Sequence, residues 1–308
     1  MNLKSKIMLF VMSASVLLPM SGSVGVSAAA GSGAPRSSHR RGNPATARLE
    51  GRLFTAVEEG DLAAVIRLVE AGASVNSRDE SGRPLLNIAA MHGRVAIARY
   101  LLERGARINA VDRFGSTALH EAVDDENLDM VTLLITRGIA VNARDDNGDT
   151  ALIMASSRGC LDIVQYLVMH GANIRTRGND RCNALQWAVL SHQLNVLRYF
   201  IDDVHVNFVL NDLLTLADRS DIIRYLIDRG ADVNTEQVDG GTVLHVAARN
   251  HDAELVRYLL DHNIDVDSLD NENRTALDIA REHGFGDIIG LLINRTAVQP
   301  AAQRRRIV

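Results

Sequence analysis

Residues 112–144 read DRFGSTALHEAVDDENLDMVTLLITRGIAVNAR, and residues 145–177 read DDNGDTALIMASSRGCLDIVQYLVMHGANIRTR. Laid over one another at a shift of 33, they pair Gly115 with Gly148, Thr117 with Thr150, Leu119 with Leu152, Ala122 with Ala155 and Gly138 with Gly171. Self-similarity at a fixed period of this size marks a solenoid built from stacked units. Working outward, the leucine column takes in Leu53, Leu86 and Leu185 and resumes at Leu244 and Leu277. Ala56, Ala89, Ala188, Ala247 and Ala280 follow three residues behind, so leucine and alanine share one helical face. Val75-Asn76, Ile108-Asn109 and Val141-Asn142 keep the same step.

Each unit then reads as a helix, a turn, a second helix and an extended link. The threonines Thr117, Thr150, Thr242 and Thr275 stand where a first helix begins, and a hydroxyl there can accept from the open N–H groups of the first turn. The second helices are apolar runs such as Ile163-Val164-Tyr166-Leu167-Val168. Gly72, Gly105, Gly138, Gly171 and Gly230 follow them at the left-handed position that ends a helix, and Asn263, the next most tolerant residue, takes that place in the seventh unit. Eight helix pairs are predicted, starting near Leu53, Leu86, Leu119, Leu152, Leu185, Leu214, Leu244 and Leu277.

The stretches Asp112-Arg113-Phe114-Gly115-Ser116-Thr117-Ala118-Leu119-His120, Asp145 through Leu152, and Gly240-Gly241-Thr242-Val243-Leu244-His245 resemble the ankyrin repeat, whose unit opens D-x-x-G-x-T-P-L-H-x-A and ends near G-A-x-x-N. The resemblance covers about residues 46–295. It implies an all-α ankyrin-repeat solenoid with hairpin-like links and repeats near 46–78, 79–111, 112–144, 145–177, 178–209, 210–236, 237–269 and 270–295. It also implies that His120 and His245 are structural, bonding between the helix start and the adjacent hairpin.

Two units depart from the pattern. In the fifth, Arg181 replaces the turn glycine, Asn183 replaces the threonine, and the terminal glycine is lost in Asp202-Asp203-Val204-His205, so an irregular hairpin is expected. The sixth lacks the Gly-x-Thr turn and is short, which predicts a curtailed first helix around Leu213-Leu214-Ala217 and a bend or looser contact.

Composition agrees with thin stacked helices: aromatic residues are 4% of the 308, while apolar residues of all kinds reach 46%. A net charge of −5 lacks the basic footprint that nucleic-acid binding needs. Lys4 and Lys6 precede the apolar run Ile7–Leu18, then Pro19 and small residues through Ala30, the layout of a signal peptide over residues 1–30. The run is too short for a stable membrane span after cleavage, so the mature chain is expected in the periplasm or secreted. Residues 31–45 read as a flexible linker and 296–308, with Arg304-Arg305-Arg306, as a basic disordered tail.

Chemistry-bearing motifs are absent: there is no H-E-x-x-H, no C-x-x-C, no G-x-S-x-G after a strand and no phosphate-binding G-x-x-x-x-G-K-S/T. Asp145–Asp149 has too few features of a calcium loop, and Asp124-Asp125-Glu126 reads as a solvated face. Cys160 and Cys182 fall at opposite ends of the unit and are expected to remain free thiols. No enzyme, cofactor or metal is expected, and a monomer is.

By resemblance, hairpin tips and the exposed ends of first helices line a concave groove that binds another protein. Those positions are Glu80, Ser81, Met91, His92, Arg113, Phe114, Asp124, Asp125, Asp146, Asn147, Ser157, Arg158, Leu190 and Arg249, with Phe114 as the anchor. Glu58, Glu59, Asp124 and Asp125 make the early groove acidic, and Arg158, Arg175, Arg177 and Arg181 make its middle basic, a gradient suited to setting a partner's register. The expected role is to hold, inhibit or protect one exported protein. The alternatives are an effector acting on host proteins and an immunity protein for an envelope enzyme.

Overall fold

The computed structural model of the chain describes residues 44–205, 208–238 and 240–298. The signal-peptide reading of residues 1–30, nearly all of the linker and the tail from 299 lie outside the described residues. Helix begins at Pro44 and ends at Val298, two residues into the expected linker and three into the expected tail.

Sixteen helices are found among the described residues, and short turns join them in pairs: α1 (Pro44–Glu59) with α2 (Leu62–Glu70), α3 (Leu85–Met91) with α4 (Val95–Glu103), α5 (Ala118–Asp124) with α6 (Leu128–Thr136), and α7 (Ala151–Arg158) with α8 (Leu161–Met169). Then come α9 (Ala184–Leu190) with α10 (Leu194–Arg198, continuing as a π-helical turn over Tyr199–Asp203), and α11 (Leu210–Leu214) with α12 (Ser220–Asp228). The last two pairs are α13 (Val243–Arg249) with α14 (Ala253–Asp261) and α15 (Ala276–His283) with α16 (Gly286–Val298).

The leucine column is the spine of the core. Leu53, Leu86, Leu119, Leu152, Leu185, Leu214 and Leu244 are each no more than 2% exposed, because each is covered by the helices of the following pair. Leu277, in the last pair, is half-buried. The alanines three residues on are buried as well, and their small side chains let neighbouring first helices approach closely. First helices of successive pairs in the regular stretches pack closer than the second helices do, so the stack curves with the first helices on its concave side.

The helix ends are capped locally. Asp61, Asn127 and Asp252 accept from Ala64, Met130 and Leu255 N–H groups at 2.9, 2.9 and 2.8 Å at the starts of second helices. Thr150, Thr242 and Thr275 hydroxyls accept from Ile153, Leu244 and Asp278 N–H groups at 3.4, 3.3 and 3.2 Å. At the ends of second helices Gly138 has φ 85° and Asn263 φ 60°, the left-handed geometry that the column requires.

The asparagine column has a job that periodicity alone does not reveal. Asn76 Nδ2 donates to the Gly105 carbonyl at 3.1 Å and its Oδ1 accepts from Arg107 N–H at 2.8 Å, so one side chain ties two units together. Asn142 does the same with Gly171 and Asn173 at 3.0 and 2.8 Å. Asn109 and Asn234 accept from Ala140 and Asp265 N–H groups, both at 2.8 Å. In the fourth unit Arg175 occupies this position, and its guanidinium lies 5.4 Å from the Phe208 ring centre instead.

The fifth hairpin corrects the expectation of irregularity. Arg177 and Asn183 form the same isolated bridge that Arg144 and Thr150 form one unit earlier. Gly178 N–H donates to Cys182 C=O at 2.9 Å and Arg181 N–H to Gly178 C=O at 3.0 Å, matching Asp145 to Asp149 and Gly148 to Asp145. Arg181 adopts φ 69° where Gly148 has 76°. The left-handed conformation costs a non-glycine residue about 1–2 kcal/mol, which the surrounding hydrogen bonds offset, so the turn persists without its glycine. Asn183 likewise accepts from Gln186 N–H at 3.0 Å, replacing threonine as the cap.

Irregularity lies between the fifth and sixth pairs, where the short sixth unit predicts a curtailed first helix and a looser contact. The π turn ends α10, α11 has five residues, and no helix of one pair packs closely along a helix of the other. The junction is held by Phe200, Leu213 and Leu214, all buried, and by a polar clasp on the second-helix side. Tyr225 donates its hydroxyl to Asp202 at 3.0 Å, Arg229 pairs with the same carboxylate, and Arg198 lies 5.5 Å from the Tyr225 ring centre. The next junction repeats the arrangement, with Tyr258 donating to Asp228 at 2.6 Å under Arg224.

Candidate interaction surface

All fourteen residues expected to line the groove keep some exposure; Ser81, Met91, Ser157 and Leu190 are half-buried and the rest are exposed. Phe114 is 57% exposed on its hairpin tip, with the Arg113 guanidinium 4.7 Å from its ring centre. It therefore serves no core, and its apolar ring faces solvent beside a cation.

The tips are interlocked through their backbones. Asp146 N–H donates to Phe114 C=O at 2.9 Å, Asn179 N–H donates to Asn147 C=O at 2.8 Å, and Asn179 Nδ2 donates to Asp146 C=O at 2.9 Å. This ladder sets Arg113, Phe114, Asp146 and Asn147 as one continuous ridge. On the helix side of the groove Asp124 pairs with Arg158, and the Ser157 and Ser191 hydroxyls are 2.9 Å apart. The Met91 sulfur lies 3.5 Å from an Arg83 guanidinium nitrogen. Glu80, His92 and Arg249 are exposed and Leu190 is half-buried.

The expected acidic-to-basic gradient is altered by these contacts. Asp124 and Arg158, assigned to opposite ends of it, bind each other, so charge at that boundary is compensated within the chain. Arg175 is turned onto Phe208, and Arg177 donates to the Arg181 carbonyl at 2.8 Å. A long-range gradient is thereby reduced to a local acidic stretch at the third unit.

That stretch has a floor residue that sequence reading passed over. Glu121 is half-buried on α5, and burial first, then the charges of Asp112 and Asp124, push its carboxyl up to about 7 while Arg83 acts the other way. Asp149, at the next hairpin, is also raised to about 7 by burial and by Asp145 and Asp180, against Arg144. At the position of Glu121, five other units carry Ile88, Met154, Trp187, Val246 and Ile279, and the first carries Thr55, so a lone acid in a mostly apolar column was the visible signal.

His120 lies between them and is 1% exposed. Thr117 N–H donates to Nδ1 at 3.1 Å, which leaves the proton on Nε2 to donate to the Asp149 carbonyl at 3.2 Å. His245 repeats this with Thr242 and Arg274 at 3.0 and 3.1 Å. Burial holds the His120 imidazole below its ordinary range, with Asp145 and the Asp149 carbonyl opposing. Both histidines are structural braces. At the same position of the second unit Asn87 donates to Ser116 C=O at 2.8 Å, but its buried Oδ1 has no partner, because the capping position is Pro84 and carries no N–H.

The unfolded chain protonates His120 near its ordinary value while the folded chain resists, so that contribution is lost as pH falls below about 6.5. Glu121 and Asp149 act oppositely: between about pH 4 and 7 the folded chain keeps protons that the unfolded chain releases, so folding weakens as pH rises through that window. Glu121→Gln is expected to flatten the loss of stability between pH 5 and 7.5 in urea titrations; an unchanged slope contradicts the burial of this carboxyl.

Cys160 is half-buried, Cys182 is buried, and both are free, with burial pushing the Cys182 thiol up to about 12. Among the described residues no group of three or more His, Cys, Asp or Glu could hold a metal ion, and no helix is long and apolar enough to cross a membrane. The ridge and groove offer an open surface of mixed aromatic, acidic and hydroxyl groups, which suits recognition of another macromolecule's surface.

A family model of ankyrin repeats matches three times, over residues 53–145, 127–212 and 214–303. A comparison of the whole sequence with curated proteins finds no match. The family is a non-catalytic scaffold for protein–protein interaction. With matches covering nearly all of the described helices, and with paired helices, bridged links and His120-type braces in register, the chain belongs to the ankyrin-repeat family.

Proposed function

We propose that this chain binds an exported protein partner through the ridge and groove of its first four units, holding, inhibiting or protecting it without catalysis. The observation that carries the reading is Phe114: a large apolar ring, 57% exposed, on a tip whose backbone is locked to the next tip. Exposed aromatics on rigid elements are the usual energetic anchors of interfaces. The acidic floor at Glu121 and rim at Asp125 favour a partner that brings cationic groups to the third unit. Export is read from Lys4, Lys6 and the apolar run Ile7–Leu18 followed by small residues.

Affinity purification from the envelope fraction is expected to recover one defined protein with the wild-type chain and to lose it with the double variant Phe114→Ala, Asp124→Arg. A loss of at least tenfold in retained partner is expected, since interface anchors contribute about 2 kcal/mol or more each. Retention of the same partner by the double variant places binding elsewhere, and recovery of nothing specific removes the proposal.

A further inference from the structure

The fifth hairpin tip lacks the acid with which four others open. Asp79, Asp112, Asp145 and Asp270 each accept N–H groups of their own tip on Oδ1 at 2.8 to 3.0 Å. The fifth tip opens with Gly178, and Asp180, two residues on, accepts from Cys182 N–H at 2.8 Å instead. The space that an aspartate side chain would fill is taken from the tip before: a Cβ on Gly178 would collide with Asp149 Oδ1, and it would stand 2.9 Å from Asp180 Oδ1. Two carboxyl oxygens therefore converge on one point between the fourth and fifth tips. Asp149 Oδ1 is buried and has no hydrogen-bond partner among the described residues. Arg144, the cation that acts on it, is turned to the Gly148 and Arg177 carbonyls at 3.0 and 2.9 Å, and Arg177 to the Arg181 carbonyl at 2.8 Å. Asp145 adds a third negative charge beside Asp149. The other titratable neighbours keep one state near neutral pH. Burial pushes the Cys182 thiol up to about 12, and the His120 imidazole, whose Nε2 lies on the Asp149 carbonyl, is held below its ordinary range.

We propose that Asp149 is a proton-operated lock in the ridge: protonated, it lets the fourth and fifth tips close over Gly178; ionised, it is repelled by Asp180 and Asp145 and parts them. Two bonds cross the same gap, from Asn179 N–H to Asn147 C=O at 2.8 Å and from Asn179 Nδ2 to Asp146 C=O at 2.9 Å, and they are the bonds that parting breaks. Burial first, then Asp145 and Asp180, raise the Asp149 carboxyl to about 7, so the lock turns over near neutral pH. The closed form holds the proton more tightly than the open one, and closure therefore weakens as pH rises through that value. Below it the ridge from Phe114 to the fifth tip is continuous; above it the ridge ends at Asn147. The lock is a property of this chain alone, and it stands or fails independently of whether Phe114 anchors a partner.

The test is amide hydrogen exchange of the full chain, resolved at single residues and expressed as protection relative to the intrinsic rate at each pH. Protection of the Asn179 N–H is expected to fall about tenfold between pH 6 and pH 8 in the wild-type chain. The Asp146 N–H is the internal control: its bond to Phe114 C=O crosses a gap with Ser116 in the place of Asp149, and its protection is expected to stay constant. Asp149→Asn is expected to keep Asn179 protected at both pH values. Asp180→Asn, which retains an oxygen to accept from Cys182 N–H, is expected to shrink the fall, and it decides the matter should Asp149→Asn lose protection throughout. Constant protection at Asn179 in the wild type, equal falls at Asn179 and Asp146, a fall that persists in Asp149→Asn, or an undiminished fall in Asp180→Asn overturns the proposal.

Discussion

Leu152→Ala is expected to lower stability by about 2–5 kcal/mol and to split unfolding into two steps. Leu152 is 1% exposed on α7, packed between the first helices of the third and fifth units, so its removal leaves a cavity in the spine that the neighbouring helices cannot fill. In a globular core such a loss is shared by the whole domain. In a linear array it falls on two interfaces, and the blocks on either side can then unfold separately. The single tryptophan, Trp187 on α9, is 5% exposed and reports on the middle of the stack. Tryptophan fluorescence and far-ultraviolet circular dichroism should give one urea transition for the wild-type chain and separated transitions for the variant. Coincident transitions with a shift below about 1 kcal/mol would show that the stack is not coupled through this column.

Phe200→Ala is expected to cost about 3–5 kcal/mol and to release the C-terminal units from the N-terminal ones. Phe200 is fully buried within the π turn, where the helices of the fifth and sixth units no longer run closely alongside each other. Its fully buried ring is part of the continuous apolar core there. The clasp of Tyr225, Asp202 and Arg229 stands nearby, but Arg229 and Asp202 are partly solvent-exposed, and exposed ion pairs contribute only about 0–1 kcal/mol. Packing therefore outweighs the clasp. Hydrogen exchange should show lost protection across residues 210–298 with little change in α3 to α8; equal loss along the whole chain would mean that no weak junction exists there.

Much of this molecule is legible without coordinates. The 33-residue step, the leucine and alanine columns and the helix-ending glycines each express a local rule of helix geometry, and local rules are written in adjacent residues. Even Asn263 could be placed correctly, since few residues accept φ near 60°. Register alone chose the fourteen candidate groove residues, and all of them keep some exposure.

What adjacency could not convey is how residues one unit apart use each other. Arg181 looked like a broken turn, yet bonds from Gly178 and Cys182 hold it in the glycine conformation. Arg158 and Asp124 looked like opposite ends of a gradient and proved to be partners. All five tyrosines fall at one second-helix position, a column visible in the sequence, but only the packed structure joins Tyr225 and Tyr258 to the carboxylates of the preceding unit. The sequence by itself determined the repeating helix pairs, because their periodicity and caps act within a few residues. Tertiary structure alone decided which side chains are paired and which acid is forced toward neutrality, because burial and charge act across the gap between units.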